Sequence, residues 1–167
     1  MKVSSYKCIV ADPPWPHTGG GGRGSNHHYK VLKMEDIATT ILNAPCWHPN
    51  ESGCHLYFWV LNNYLFEGKE VMNQLGFRYI SNIVWVKDRF GIGYYFRGQH
   101  ELCLFGVMGK LPTLVNNIST VVHAKRRKHS EKPDEFFSMV EHASPGPRLE
   151  MFARKERFGW FCWGDEL

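Results

Sequence analysis

The feature that most constrains the fold is a series of short apolar runs that alternate with segments of helical spacing. Residues 7–11, 55–61 and 79–86 are apolar at most positions rather than at every second one. Strands of this kind are buried on both faces, because helices cover both sides of the sheet that contains them. Residues 34–43 and 64–75 carry apolar side chains near helical spacing. The order strand, helix, strand, helix, strand predicts an α/β domain with a mostly parallel sheet and helices on both faces.

The rest of the chain continues this pattern. The further predicted elements are a strand at 101–107, a helix at 133–143 and strands at 148–153 and 159–163. Pro133 suits the first turn of that helix, and Asp134 and Glu135 lie beside the positive end of its dipole. A chain of 167 residues is close to the roughly 150 of one ordinary domain. We therefore expect a single Rossmann-like domain over residues 1–167.

Composition excludes several classes of protein without naming a function. Hydrophobic residues make up 43% and charged residues 22%, which is too apolar and too balanced for intrinsic disorder. The five cysteines are odd in number and scattered, with no Cys-x-x-Cys. We therefore expect a reducing cytoplasm, no disulfide framework and no metal site. No apolar run approaches the roughly 20 residues of a membrane span. Lysine and arginine (20) exceed aspartate and glutamate (16), and the net charge of +4 permits nucleic acid as a partner.

The first predicted strand ends at Asp12-Pro13-Pro14-Trp15, because two successive prolines lack the donors that a ladder needs. Ligands of open α/β sheets bind beyond the carboxyl ends of strands. The amino group of a nucleobase is a poor nucleophile, so an enzyme that uses it must accept its hydrogens. The Asp12 carboxylate and the Pro13 carbonyl can accept them, and Trp15 offers a face for base stacking. The alternative is a turn in which Asp12 is a cap and Trp15 belongs to the core.

The Asp-Pro-Pro-Trp motif resembles the signature of amino-methyltransferases. The chain is similar to one branch of them, the S-adenosylmethionine-dependent adenine-N(6) methyltransferases, whose eukaryotic members methylate messenger RNA and whose bacterial and phage members methylate DNA. The stretches that carry the resemblance are VADPPW (10–15), YFWV (57–60), IVWVK (83–87), HELCLFGVMG (100–109), EKPDEFFSMVEHASPG (131–146) and LEMFARKERFGWFCWGDEL (149–167). The resemblance implies a circularly permuted Rossmann-like methyltransferase fold, S-adenosylmethionine as the cofactor, and a bacterial or phage-encoded protein in the cytoplasm.

The resemblance also implies which residues bind the cofactor. Lys132 matches the family lysine that pairs with the methionine carboxylate, and its place before a helix N-terminus suits an anion. Glu150 and Arg154 match the polar pair beneath the ribose. Glu156 and Arg157 replace a histidine and an asparagine of the family, and a solvated charged turn is the alternative there. The implied cofactor-binding residues are Asp12, Lys132, Glu150, Arg154, Arg157, Asp165 and Glu166. The implied catalytic residues are Asp12, Pro13, Pro14 and Trp15.

Two basic segments are predicted to hold the nucleic acid. Residues 88–98 interleave arginines with aromatic side chains, which combines phosphate pairing with stacking. Residues 125–128 are a basic run just before the cofactor-binding lysine, with a solvated surface as the alternative. Residues 19–24 match Gly-x-Gly-x-x-Gly but neither follow a strand immediately nor open a helix, so we interpret them as a lid over the target base. The predicted substrate-binding residues are Trp15, Tyr29, Lys87, Arg89, Tyr94, Tyr95, Arg97, Lys125, Arg126, Arg127 and Lys128.

Together these features predict an enzyme that transfers a methyl group from S-adenosylmethionine to the exocyclic amine of adenine. The adenine is flipped out of nucleic acid, with DNA favoured over RNA. One alternative is a catalytically silent subunit that positions nucleic acid for a sister chain, although intact Asp12 and Lys132 argue against it. Another, a nucleotide-binding oxidoreductase, rests only on the glycine pattern. No membrane partner is expected, and a homodimer and a heterodimer both remain open.

Overall fold

The computed structural model describes residues 5–16, 31–127, 131–165 and 167. Seven strands lie within these residues: β1 (Cys8–Ala11), β2 (Gly53–Val60), β3 (Arg78–Val86), β4 (His100–Gly109), β5 (Val121–His123), β6 (Arg148–Met151) and β7 (Trp160–Trp163). The α-helices are α1 (Ile37–Leu42), α2 (Leu65–Gln74) and α3 (Asp134–Ala143). Single 3-10 turns at Met34–Asp36 and Asn62–Tyr64 precede α1 and α2. No helix in the described part of the chain is long and apolar enough to cross a bilayer.

The seven strands form one sheet in the order β5-β3-β4-β2-β1-β6-β7. Strand β4 pairs antiparallel with β2 and β3. The other neighbouring pairs are parallel. The predicted α/β, Rossmann-like class with a mostly parallel sheet is therefore confirmed. Because β4 is reversed, its first residues lie at the same edge of the sheet as the last residues of β1, β2 and β3.

Side chains of the central strands alternate between two apolar layers. Cys8 and Val10 of β1 pack in the layer that contains residues of α3, whereas Ile9 and Ala11 pack in the layer that contains residues of α1 and α2. Both sets of side chains are almost fully buried. Helices thus cover both faces of the sheet, as predicted, and this explains why the strands are continuously apolar.

The element boundaries differ from the prediction at the sheet's ends. The sequence does not predict β5, because three residues are too few to show a periodicity. Strand β6 ends at Met151 rather than at residue 153, since Phe152 has a φ of 61°, outside the region that strands use. Ala153 instead donates its backbone N–H to the Trp163 carbonyl at 2.9 Å. This bond holds the turn after β6 against the end of β7.

Candidate active site

Four charged side chains of alternating sign lie at the edge of the sheet where β1 and β3 end and β4 begins. Lys132, shortly before α3, places Nζ 2.8 Å from Asp12 Oδ2 and 3.1 Å from Glu101 Oε2. Lys87, directly after β3, places Nζ 2.6 Å from Glu101 Oε1. We call Lys87, Glu101, Lys132 and Asp12 the charge chain. It brings together two segments that are far apart in sequence, the motif after β1 and the segment before α3.

Burial makes the members of the charge chain depend on one another. The side chains of Lys132 and Glu101 are 11% and 25% exposed. Burial alone lowers the pKa of Lys132, but the Asp12 and Glu101 carboxylates outweigh burial, and the pKa is raised. Burial raises the pKa of Glu101, but the Lys132 and Lys87 ammonium groups outweigh it, and the pKa is lowered. Lys132 and Glu101 are therefore both ionised at neutral pH.

The two prolines of the motif fix the backbone beside Asp12. The Pro13 carbonyl accepts the backbone N–H of Trp15 at 2.9 Å, and the Pro14 carbonyl accepts that of Leu32 at 3.0 Å. A carbonyl oxygen has two lone pairs, so the Pro13 oxygen keeps one acceptor position. The Asp12 carboxylate and the Pro13 carbonyl therefore both offer acceptors at the end of β1.

Trp15 occupies a different place from the one predicted for it. Its side chain is 7% exposed, and its indole N–H donates to the Trp59 carbonyl at 2.9 Å. Its ring stacks on Tyr64, with centroids 5.9 Å apart, and meets the edge of Phe58. The structure thus corrects the expectation of an open stacking face for a base. Burial of a large aromatic surface favours the core position, where Trp15 anchors the motif to β2.

Glu150, in the middle of β6, faces a cation from the turn that follows its own strand. Arg157 Nε lies 3.3 Å from Glu150 Oε2, and Arg157 Nη1 lies 3.2 Å from Asp134 Oδ1. The guanidinium also lies 3.5 Å from the ring centroid of Phe137 on α3. Burial raises the pKa of Glu150, and Arg157 offsets that effect only in part. Arg157 is therefore part of a folded ion-pair network and not of a solvated turn.

The other predicted cofactor residues lie near the ends of β6 and β7. Arg154 is half-buried in the turn after β6, and Asp165 is exposed shortly after β7. Glu166 lies outside the described residues, as do Tyr29 and Lys128 of the predicted substrate contacts. The proposed glycine lid at 19–24 lies outside them as well.

The segment between β3 and β4 exposes an unusual density of aromatic rings. Phe90 is 64% exposed, and Tyr94, Tyr95 and Phe96 are each at least 90% exposed. We call residues 88–98 the aromatic loop. A hydrogen bond from the backbone N–H of Gly91 to the Gly98 carbonyl closes it at 2.6 Å. Its predicted arginines, Arg89 and Arg97, are exposed with the rings. The loop presents stacking faces and positive charge to solvent.

The described residues of the predicted basic run, 125–127, have different partners in the structure. Arg127 places Nη1 2.8 Å from Asp134 Oδ2 and Nη2 3.7 Å from Glu135 Oε2, in the first turn of α3. This pairing corrects the expectation that Arg127 is free to bind phosphate, because its charge is already matched. Arg126 donates its backbone N–H to Asp88 at 2.9 Å, which ties the run to the aromatic loop. Lys125 lines a groove of about 650 Å³ with Lys87 and His123.

Three residues near the candidate site are not among the site residues that the sequence predicts. Glu101 is an acidic residue at the start of an apolar strand, and this contrast is the one feature of the sequence that points to a role for it. His123 lines the groove but belongs to β5, which the sequence does not predict. Trp59 is 1% exposed and its indole N–H has no hydrogen-bond partner in the described structure. Its ring lies 4.9 Å from Lys132 Nζ, beneath the charge chain.

His55, the buried histidine of β2, is fully used by the core. Its Nε2 lies 2.8 Å from the Leu111 carbonyl, and its Nδ1 lies 2.7 Å from Ser144 Oγ. A carbonyl only accepts, so Nε2 carries the proton and Nδ1 accepts from the Ser144 hydroxyl. Burial lowers the pKa of His55. Across the described ranges, no cluster of three or more histidine, cysteine and acidic side chains is placed to bind a metal ion.

Comparison with known proteins gives one family for the chain. The model of the MT-A70 family matches residues 6–166. The match begins before β1 and ends after β7, so it includes the motif, the charge chain and Glu150.

The relatives include eukaryotic and bacterial methyltransferases. An MT-A70-like N(6)-adenosine-methyltransferase of Arabidopsis thaliana is 30% identical over 179 residues, which cover 99% of this chain and 24% of that protein. The human N(6)-adenosine-methyltransferase catalytic subunit METTL3 is 28% identical over 179 residues, covering 99% of this chain and 29% of that protein. The type II methyltransferase M.MunI of a Mycoplasma species is 27% identical over 185 residues, covering 97% of this chain and 78% of that protein. The chain therefore spans less than a third of the plant and human relatives.

Proposed function

The chain belongs to the MT-A70 family, and on that premise we propose that it transfers a methyl group from S-adenosylmethionine to the N6 amine of adenine in nucleic acid. S-adenosylmethionine is the donor that MT-A70 methyltransferases use. The observation that carries the proposal is the 2.8 Å contact between Asp12 and Lys132. It places an amine-accepting carboxylate beside a buried cation, at the edge of the sheet where α/β proteins bind ligands.

The residues at this edge fit the two polar ends of S-adenosylmethionine. Lys132 has three N–H donors, of which Asp12 and Glu101 use two, so one is left for the methionine carboxylate. The unpartnered indole N–H of Trp59 adds a buried donor near the charge chain. Glu150, on the strand beside β1, can accept hydrogen bonds from ribose hydroxyls. Arg154 and Asp165, near the ends of β6 and β7, complete the proposed cofactor contacts together with Glu166, which lies outside the described residues.

The chain's own contribution to the reaction is to hold the amine. The lone pair of the amine nitrogen is delocalised into the adenine ring. Hydrogen bonds from the two N–H groups to Asp12 and the Pro13 carbonyl bend the amine out of conjugation, so that the lone pair can face the methyl group. S-adenosylmethionine, held by Lys132 and Glu150, would supply the methyl group from its sulfonium, and the N–C bond would form as the S–C bond breaks to leave a neutral thioether. Asp12 stabilises the positive charge that develops on nitrogen, and the surplus proton then passes to water. Asp12 need not be a strong base.

The exposed surfaces beside the charge chain provide the path for nucleic acid. Tyr94 and Tyr95 of the aromatic loop can stack on unpaired bases, and Lys125 can pair with phosphate in the groove. These surfaces would recognise the shape and charge of the nucleic acid. Such recognition suits a target base that is extruded from its strand. The bacterial type II methyltransferase, of which the chain covers 78%, supports the preference for DNA.

A methyl-transfer assay with isotopically labelled S-adenosylmethionine tests the proposal. Matched DNA and RNA oligonucleotides, each with and without adenine, serve as acceptors. We expect incorporation only where adenine is present, and more into DNA than into RNA. Incorporation into RNA alone would overturn the preference for DNA. No incorporation into either, by a protein that binds both cofactor and oligonucleotide, would favour the silent-subunit alternative.

A further inference from the structure

Arg157 is held more tightly than a surface arginine. Its side chain is 14% exposed, and it reaches Glu150 through Nε, Asp134 through Nη1 and the face of Phe137 through the guanidinium plane. A planar guanidinium offers a rigid fork of donors, so two acceptors on different elements fix its orientation. Arg157 therefore joins β6 to the first turn of α3, and these two elements carry or adjoin Glu150 and Lys132.

Arg157 is the cation in direct contact with the Glu150 carboxylate. The Glu150 side chain is 13% exposed, and burial raises its pKa. The charged and titratable groups that face it are Asp12, Lys155, Arg157 and the Cys162 thiol. Of these, Asp12 raises the pKa further, whereas Arg157 and Lys155 lower it. Arg157 is the partner in direct contact, so its removal would raise the pKa of Glu150 further.

The contact with Arg157 occupies one of the two carboxylate oxygens of Glu150. Arg157 bonds Oε2 of Glu150, and no hydrogen bond from a residue that the structure describes reaches Oε1. An ionised carboxylate can accept about four hydrogen bonds, whereas its protonated form gives up acceptor capacity for one donor. Ribose hydroxyls need acceptors, so the ionised form is the one that suits them.

We infer that Arg157 is a positioning residue for the cofactor, which holds the Glu150 carboxylate in place to accept from the ribose hydroxyls, while Asp134 in turn holds Arg157. This inference rests on the proposed ribose contact of Glu150. It differs from the expectation that Arg157 itself touches the cofactor, since both of its donor contacts reach protein carboxylates.

Calorimetric titration with S-adenosylhomocysteine, from about pH 6 to about pH 8.5, tests the inference. The variants are Arg157→Gln, Arg157→Lys and Glu150→Gln. Arg78→Gln is the matched control, because Arg78 is also hydrogen-bonded through Nη1 but lies at the opposite edge of the sheet. Arg157→Gln should bind more weakly than the wild type, and its affinity should fall more steeply as the pH is lowered, because loss of the guanidinium raises the pKa of Glu150 further. Arg157→Lys keeps the charge but not the fork, so it should bind a few times more weakly with the wild-type pH profile.

Four results would overturn the inference. If Arg157→Gln matches the wild type in affinity and pH profile while Glu150→Gln loses affinity, the ribose contact stands and Arg157 has no part in it. Tighter binding by Arg157→Gln would mean that Arg157 blocks Glu150. Unchanged binding by Glu150→Gln would remove the ribose contact and the inference with it. If thermal unfolding shows that Arg157→Gln does not fold, Arg157→Lys decides alone, and wild-type affinity in that variant contradicts the orienting role.

Discussion

Lys132 Nζ lies 2.8 Å from Asp12 Oδ2, although the two residues are 120 positions apart in sequence. They meet because the end of β1 lies beside the segment that precedes α3. The pair places the proposed acceptor of the target amine beside the proposed anchor of the methionine carboxylate. Glu101 satisfies the same ammonium from a third element at 3.1 Å. The site is thus charged and ordered before either reactant is bound, which favours alignment of two reactants over general-base strength.

Replacing Asp12 with alanine should abolish turnover while the protein still folds. The change removes the acceptor for the amine, and loss of one such electrostatic contact lowers rates by about 10²–10³-fold. Lys132 keeps Glu101 as its partner, so the buried cation is not left alone. Measured kcat and a thermal unfolding curve check both halves, with Asp36→Ala as a control at an exposed position. A variant that retains more than about a tenth of the wild-type rate would exclude this role for Asp12.

Stability should fall in mild acid because of His55. Its pKa in the folded protein is lowered by burial from the ordinary value of 6.5, so the unfolded chain binds more protons below that pH. The contribution of His55 to the free energy of unfolding is therefore fully present above about pH 6.5. It is lost as the pH falls through the lowered pKa of His55 in the folded protein.

The His55→Gln variant isolates this effect, because it keeps a donor for the Leu111 carbonyl but cannot take up a proton. Urea unfolding at several pH values should show a smaller decrease for the variant than for the wild type. Equal slopes of stability against pH would mean that other groups cause the acid sensitivity.

Replacing Lys125 and replacing Arg127 should have different effects on the salt dependence of oligonucleotide binding. Both residues line the groove, but Lys125 forms no ion pair with a described residue, so Lys125→Gln should flatten the log–log dependence of oligonucleotide binding on salt by roughly 0.7–0.9. Arg127 is paired with Asp134 and Glu135, so Arg127→Gln should leave that slope nearly unchanged. Fluorescence anisotropy with DNA at several salt concentrations measures both. A larger change of slope for Arg127→Gln than for Lys125→Gln would contradict the assignment.

The aromatic loop should contribute affinity without contributing to the fold. Tyr94 and Tyr95 are 95% and 97% exposed, so replacing both with alanine should leave thermal unfolding and cofactor binding unchanged. Loss of stacking should weaken oligonucleotide binding by about 1–3 kcal/mol per stacked base. Phe158→Ala, at another fully exposed ring, is the control. Wild-type oligonucleotide affinity in the double variant would show that the loop has another task.

How far the sequence predicts this protein depends on the range of the interaction. Continuous apolar strands predict the two-faced sheet, since burial on both faces leaves a local pattern. The antiparallel direction of β4 leaves none, because its residues are apolar whichever way it runs. The three-residue β5 is likewise too short to be found.

The site shows the same division. Asp12 and Lys132 can be predicted from their motifs, but their contact with each other and with Glu101 depends on strand order. Sequence patterns also do not show which polar groups are already satisfied. For that reason the pairing of Arg127 with α3 escapes prediction, and the burial of Trp15 matches the alternative that the sequence left open and not the preferred stacking role.

Identification of the product tests the central claim most directly. The protein is incubated with S-adenosylmethionine and an adenine-containing DNA oligonucleotide, the DNA is digested to nucleosides, and the digest is analysed by mass spectrometry against reference compounds. We predict N6-methyl-2′-deoxyadenosine with the wild-type protein and none above background with Asp12→Ala. Methylation at a ring nitrogen or on cytosine, or equal product from the Asp12 variant, would contradict the account.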